Sequence, residues 1–249
     1  MYSIVTSYKF VKIINLEATR DQLKVLCDNH NIKGTILVAR EGINFTLSGN
    51  LQDLEQLIVE INKIHYFVDL KYNNYTTASF TPFKKMKVRL KNEIVALKDQ
   101  ALIDFDMDEH PPGINLNAAE WDELISEKDV IVVDTRNSYE VAYGTFKNSV
   151  NPDTQAFSEI TQWLEQNVDV NDKTQKIAMF CTGGIRCEKS TAYVKSLGFE
   201  NVYHLNGGVL KYFEDTKGEN NLWDGNLFIF DDRIALDKNL ESINQNESR

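Results

Sequence analysis

Two hydrophobic periods divide the chain. Over 2–12, 34–40 and 43–48, apolar and β-branched residues gather in short runs of the kind that form strands, and between them lie segments with apolar residues three and four apart. This predicts a strand over 2–12, a helix over 19–30, strands over 34–40 and 43–48, a helix over 50–64 and a strand over 66–75. Gly42 falls between the middle strands, as a tight hairpin needs. Ser48-Gly49-Asn50 offers a turn and a helix cap before Leu51, Leu54, Leu57, Ile58 and Ile61, which share one helical face. The order βαββαβ fits a ferredoxin-like (acylphosphatase-like) α+β sandwich.

The pattern then changes. Val130-Ile-Val-Val133 and Ile177-Ala-Met-Phe180 are continuous apolar runs, as in parallel strands buried on both faces. Helical patterns lie around 117–126, 154–168, 187–197 and 208–214, so strands and helices alternate and an α/β domain with a mostly parallel sheet is expected. Between the halves, Asp104-Phe-Asp-Met-Asp-Glu-His-Pro-Pro-Gly113 runs from acidic residues into a sequence that neither helix nor strand continues easily. The expected organisation is therefore a first domain over 1–103, a linker over 104–113, a second domain over 114–217 and an extension over 218–249, whose polar end after 237 is expected to be partly disordered.

Composition narrows the class. The 249 residues suffice for two domains with their own cores. No apolar run approaches the roughly 18 residues of a membrane span, so no membrane partner is expected. Met1–Lys9 lacks the features of a secretion signal, and the cytoplasm is the expected location. Three cysteines, Cys27, Cys181 and Cys187, are too few for a disulfide framework and lack the paired spacing of a zinc site; no metal is expected.

The net charge of -10 is unevenly spread: residues 1–103 hold 14 Lys and Arg against 10 Asp and Glu, and residues 104–249 hold 13 against 27. The positive excess draws attention to the hairpin-like stretch Pro82-Phe-Lys-Lys-Met-Lys-Val-Arg-Leu-Lys91. Lys85, Lys87, Arg89 and Lys91 recur at period two and share a face if the stretch is a strand. Such a face, with Lys84 beside it, is either a solvated edge that deters aggregation or a strip that contacts phosphates. Tyr66, Phe67, Tyr72, Tyr75, Phe80 and Phe83 nearby are core residues or platforms for bases.

The chemistry concentrates in Cys181-Thr182-Gly183-Gly184-Ile185-Arg186, between a predicted strand and a predicted helix. Glycines allow successive N–H groups to turn inward, the helix presents its positive end, and Arg186 adds a cation. A thiol there ionises below its free value of about 8.5, and the thiolate is the reactive form. Cys187 is either helix packing or a resolving thiol for Cys181.

These residues carry a resemblance. Val133-Asp-Thr-Arg-Asn-Ser-Tyr-Glu140, Gly144-Thr-Phe-Lys-Asn-Ser-Val-Asn-Pro152, the Cys181 loop and Val202-Tyr-His-Leu-Asn-Gly-Gly208 resemble the successive landmarks of a rhodanese domain over about 110–217. A six-residue frame from Cys181 to Arg186 is similar to sulfurtransferases, whereas related phosphatases use a loop one residue longer, and Phe180 stands where tyrosine phosphatases carry His. The resemblance implies that Asp134, Arg136 and Glu140 act as scaffold or line the pocket.

Gly34–Gly49, Cys181–Lys189, Trp223-Asp-Gly225 and Phe228–Ala235 further resemble the bacterial tRNA uridine hydroxylase family nearly along the whole chain. That implies hydroxylation of the wobble uridine, position 34, at carbon 5, with molecular oxygen as co-substrate, no identified cofactor, and the tRNA anticodon loop as partner. Arg40 and Asn44 then become candidate RNA contacts with the basic strip, Arg40 and Glu41 being equally compatible with an ordinary solvated hairpin. A sulfurtransferase and a redox-switched tRNA-binding module remain the alternatives. Longer relatives continue into a cysteine-rich segment; no cysteine follows Cys187 here, and no zinc is expected from one.

Overall fold

The computed structural model describes residues 1–72, 74–219 and 222–243. The chain forms two compact units: one of Met1–Ala96, Ile103–Asp106 and Phe230–Arg233, the other of Leu97–Leu102, Met107–Ile229 and Ile234–Arg249. Residues 103–106, placed by sequence in the end of the first domain and the start of the linker, pack in the first unit, as does the short 230–233 segment of the extension.

The first unit contains β1 (Tyr2–Phe10), α1 (Leu16–Asn29), β2 (Lys33–Ala39), β3 (Gly42–Gly49), α2 (Leu51–Asn62), β4 (Asn74–Ala78) and β5 (Met86–Leu90). Its sheet has the order β4-β1-β3-β2-β5, with β5 parallel to β2 and the other pairs antiparallel. This is the expected α+β sandwich with one strand added at the edge. Alternation along the strands sends Val5, Ile36, Val38, Ile43, Phe45 and Leu47 to one face, where Leu23 and Cys27 of α1 and Leu54, Leu57 and Ile61 of α2 meet them. Asn50 caps α2 as expected, its side chain accepting from the Gln52 N–H at 3.0 Å. At Gly42, with φ +146°, a Cβ would lie 2.1 Å from the Lys9 carbonyl oxygen, so only glycine lets the hairpin close against β1.

Two expectations need correction. The strand over 66–75 is a short 3-10 turn at His65–Phe67 followed by β4 at 74–78. Phe67 turns into the core, and the Asn62 amide donates to the Leu70 carbonyl at 2.8 Å, so the aromatic run folds back on the end of α2. The stretch 82–91 is not a hairpin: only Met86–Leu90 forms a strand, at the sheet edge, and after Lys91 the chain meets the hairpin of β2 and β3 through Ile94. Glu41, read as solvated or RNA-facing, is 1% exposed and holds that segment, accepting from the N–H of Ile94 at 2.7 Å and of Phe105 at 3.2 Å. The Asn44 amide donates to the Ile94 carbonyl at 3.0 Å, and Phe105 packs edge-on against Phe10. Arg233, also buried, lies bidentate on Asp231 and donates to Thr76 at 2.7 Å.

The second unit contains β6 (Ile114–Leu116), α3 (Ala118–Ile125), β7 (Val130–Asp134), α4 (Ser138–Val141), β8 (Gly144–Phe146), α5 (Ile160–Asn167), β9 (Lys176–Phe180), α6 (Ile185–Ser196), β10 (Val202–Leu205), α7 (Gly208–Thr216), β11 (Trp223–Gly225), β12 (Leu227–Phe228) and β13 (Ala235–Leu236). The sheet β6-β10-β9-β7 is parallel throughout, with the two continuous apolar runs as its neighbouring strands β7 and β9. Phe146 is the hub of its aromatic core, edge-on to Phe180, Tyr212 and Trp223 with ring centroids 4.9, 4.9 and 5.1 Å away. The end of the extension, residues 244–249, lies outside the described residues. No helix among them is long and apolar enough to cross a membrane.

Removing the Glu41 carboxylate leaves buried N–H groups without an acceptor, which costs about 1–3 kcal/mol each. Glu41→Ala is expected to lower the thermal midpoint of the protein measurably, whereas the exposed Arg40→Ala leaves it in place; scanning calorimetry of the two variants checks this.

Candidate active site

Cys181 follows β9 directly and α6 begins four residues later. Its side chain is 1% exposed, so a charge on sulfur must be met by protein groups. The Gly184 N–H donates to the Cys181 Sγ at 3.1 Å. Gly184 adopts φ +92°, a left-handed conformation that turns the chain into α6 while keeping that N–H on the sulfur. The loop is fixed from outside by α7, whose first N–H groups have no partner within their own helix. Val209 N–H donates to the Cys181 carbonyl at 3.0 Å and Leu210 N–H to that of Thr182 at 3.1 Å. With those carbonyls held outward, the loop amides face the sulfur.

Burial alone would push the Cys181 thiol up. The Cys187 S–H, the Arg186 cation and the N–H groups of Arg186 and Cys187 outweigh it and bring the pKa down to about 6. Cys187, fully buried on the first turn of α6, is held well above the ordinary thiol range by burial and by its neighbour Cys181. The pair is thus a thiolate hydrogen-bonded by a thiol. Arg186 is fixed from its other side by Glu140, bidentate at 2.8 and 3.0 Å. Glu140 is itself fully buried and accepts the Asn137 N–H at 3.0 Å, which closes a capping box at the start of α4.

The first unit coincides with a UPF0176 acylphosphatase like domain, matched over residues 2–94, and the second with a Rhodanese-like domain, matched over 117–215. A protein of Wolbachia pipientis subsp. Culex pipiens named tRNA uridine(34) hydroxylase is 47% identical over 96% of this chain and 82% of its own length. Proteins of the same name from Anaplasma phagocytophilum and Teredinibacter turnerae are 43% and 45% identical, over 96% of this chain in each case and over 84% and 73% of theirs. The chain belongs to the tRNA uridine(34) hydroxylase family.

In this hydroxylase-family chain the remaining candidates separate by location. Asp134 and Arg136 form a fully buried ion pair: Arg136 donates to the carboxylate through Nε at 2.9 Å and Nη2 at 2.5 Å, and to the Gly144 carbonyl at 2.7 Å. The guanidinium lies between the rings of Phe180 and Trp223, 5.8 and 4.9 Å from their centroids. The pair ties the end of β7 to β8. Lys84, Lys85, Arg89 and Lys91 are exposed and Lys87 half-exposed along β5, in the first unit, with Arg40 exposed in its hairpin. Once the acidic segments 103–106 and 230–233 are counted, that unit holds 14 Lys and Arg against 13 Asp and Glu, so its positive character is the strip itself.

Two further residues shape the loop. Thr135 donates its hydroxyl to the Phe180 carbonyl at 2.9 Å and lies 3.8 Å from the Cys187 sulfur. Gly208, at φ +67°, sits so close that a Cβ would come within 2.5 Å of the Cys181 carbonyl oxygen and 2.7 Å of the Gly184 nitrogen. By sequence Gly208 reads only as a turn into a helix; the paired glycines were the available signal for close backbone approach.

Because the thiolate predominates above a pH of about 6, alkylation of Cys181 by iodoacetamide is expected to fall as pH drops through that value. Cys187→Ala removes a donor to the sulfur and should move the inflection upward. Arg186→Ala should do the same while costing about 3–5 kcal/mol of stability, because Glu140 is left buried and unpaired. Peptide mapping of alkylation against pH checks both, and an inflection at the same pH in Cys187→Ala would contradict the assignment.

Proposed function

We propose that this chain hydroxylates carbon 5 of uridine 34 in tRNA, with dioxygen as co-substrate and Cys181 as the sulfur nucleophile. The observation that carries this reading is a buried sulfur held as its anion by the Cys187 S–H, the Arg186 cation and the Gly184 N–H, in a chain 47% identical to a protein named tRNA uridine(34) hydroxylase. Wobble bases are unpaired in the anticodon loop, so one can leave the stack at modest cost and enter a small site.

The thiolate, or a persulfide built on it, adds to carbon 6 of the uracil. The C5=C6 π electrons then collect at carbon 5, stabilised as the enolate of the neighbouring carbonyl, and this electron-rich carbon takes up oxygen. Addition of dioxygen gives a hydroperoxide on carbon 5. Loss of the carbon 5 proton then expels the Cys181 thiolate and restores the ring double bond, and the freed thiolate takes the outer oxygen, leaving 5-hydroxyuridine and a Cys181 sulfenic acid. The amides of Gly184, Arg186 and Cys187 stabilise the sulfur anion at the start and again as the leaving group. Arg186, engaged by Glu140, positions the loop rather than reaching for a phosphate. Cys187 serves as the resolving thiol: its attack on that sulfenic acid closes a disulfide and releases the second oxygen atom as water. The two thiols thus supply the two electrons, and an external thiol reduces the disulfide before the next turnover.

Nucleoside mass spectrometry of tRNA from a deletion strain tests this. Complementation with the wild-type gene restores 5-hydroxyuridine-type nucleosides, whereas Cys181→Ser leaves them at the level of the deletion. Undiminished nucleosides in Cys181→Ser would sink the assignment. A sulfurtransferase would instead show a one-sulfur mass gain at Cys181 with thiosulfate, turned over by cyanide, and no nucleoside change.

A further inference from the structure

We propose that the groove between α1 and β5 binds the sugar-phosphate backbone of tRNA; this rests on tRNA being the substrate. The groove is lined by Arg20, Asp21 and Lys24 of α1 and by residues 85–89 of the edge strand. Along that strand Met86, Val88 and Leu90 pack into the core beneath α1, which obliges Lys85, Lys87 and Arg89 to project to the opposite face. The cations therefore flank the sheet edge from both sides, Arg20 and Lys24 from α1 and the row from the strand. Alternate residues of a strand stand about 6.6 Å apart, so the cations form an evenly spaced row. Such a row suits a chain that carries one negative charge per nucleotide.

The charges have not been neutralised by the fold. Arg20 pairs with Asp21 and Lys24 with Asp28, all four partly to well exposed, and exposed pairs of this kind contribute only about 0–1 kcal/mol. Among the described residues Lys84, Lys85, Lys87, Arg89 and Lys91 make no ion pair with a carboxylate. Five cations within residues 84–91 repel one another, and protecting a sheet edge from aggregation needs far less than that. The unit holds 14 Lys and Arg against 13 Asp and Glu, and 9 against 13 once the five strip cations are set aside, so the strip is a local anion site on an otherwise acidic unit. The lining favours a strand of phosphates over a membrane, since its apolar members, Met86 and Val88, pack into the core and are not offered to a bilayer.

The test measures binding, separately from hydroxylation. Fluorescence-labelled tRNA is titrated with wild-type protein, with the triple variant Lys85→Gln/Lys87→Gln/Arg89→Gln, and with a charge-matched control, Lys12→Gln/Lys63→Gln/Lys71→Gln, whose lysines are exposed elsewhere on the same unit. The groove variant is expected to bind at least about 10-fold more weakly at low salt. Its log–log salt slope should be shallower by about 2–3, since each phosphate contact contributes roughly 0.7–0.9. Under turnover KM should rise while kcat and the pH profile of Cys181 alkylation stay the same, which also shows that the variant is folded. The control should behave as wild type. Equal weakening in both variants, an unchanged salt slope in the groove variant, or an effect confined to phosphatidylserine vesicles would overturn the groove. Because affinity is read directly, the groove can stand or fall whatever Cys181→Ser does to the nucleoside.

Discussion

An anion on a sulfur that water does not reach must be stabilised by the protein alone, and the second unit is arranged around that constraint. Cys181 is 1% exposed, and the groups that compensate it come from three elements: the loop amides, the first turn of α6, and α7, which pins the loop carbonyls outward. Each depends on the others. Gly184 turns the chain so that its N–H meets the sulfur, Gly208 allows α7 to approach, and Glu140 keeps Arg186 from swinging away. The Arg186 cation is shared between the Glu140 carboxylate and the Cys181 thiolate.

The same economy separates the two thiols. Sulfurs in contact within one buried site cannot both ionise readily, so one takes the charge and the other keeps its proton as donor. Cys181 receives the amides and Cys187, on the helix, does not; position within the loop decides which thiol ionises.

Much of this could be read from the residues. Three strands of the first sheet followed from the apolar and β-branched runs over 2–12, 34–40 and 43–48, and the parallel character of the second sheet from the two uninterrupted apolar runs of β7 and β9, because those patterns reflect burial on one face or on both. The Cys181 loop was legible because its glycines and arginine lie in one short segment. What escaped was determined by distant partners. Glu41 looks like a solvated charge until the N–H groups of Ile94 and Phe105 are brought to it, and Gly208 looks like a turn until the loop lies against it. The strands β6 and β10 have only three and four residues, too few for a period to show. The aromatics of 66–75 have strand propensity, yet packing of Phe67 against the core prevailed.

The central claim is that Cys181 forms a bond to the target base through a sulfur the fold keeps anionic. Trapping it tests this most directly: tRNA carrying 5-fluorouridine at position 34 cannot lose a proton from carbon 5, so an addition product at carbon 6 should accumulate. The account predicts a covalent protein–tRNA complex that survives denaturation, with the nucleotide located by mass spectrometry on the peptide containing Cys181 and absent in Cys181→Ser. An enzyme that hydroxylates ordinary tRNA but gives no adduct, or gives one on another residue, would contradict it.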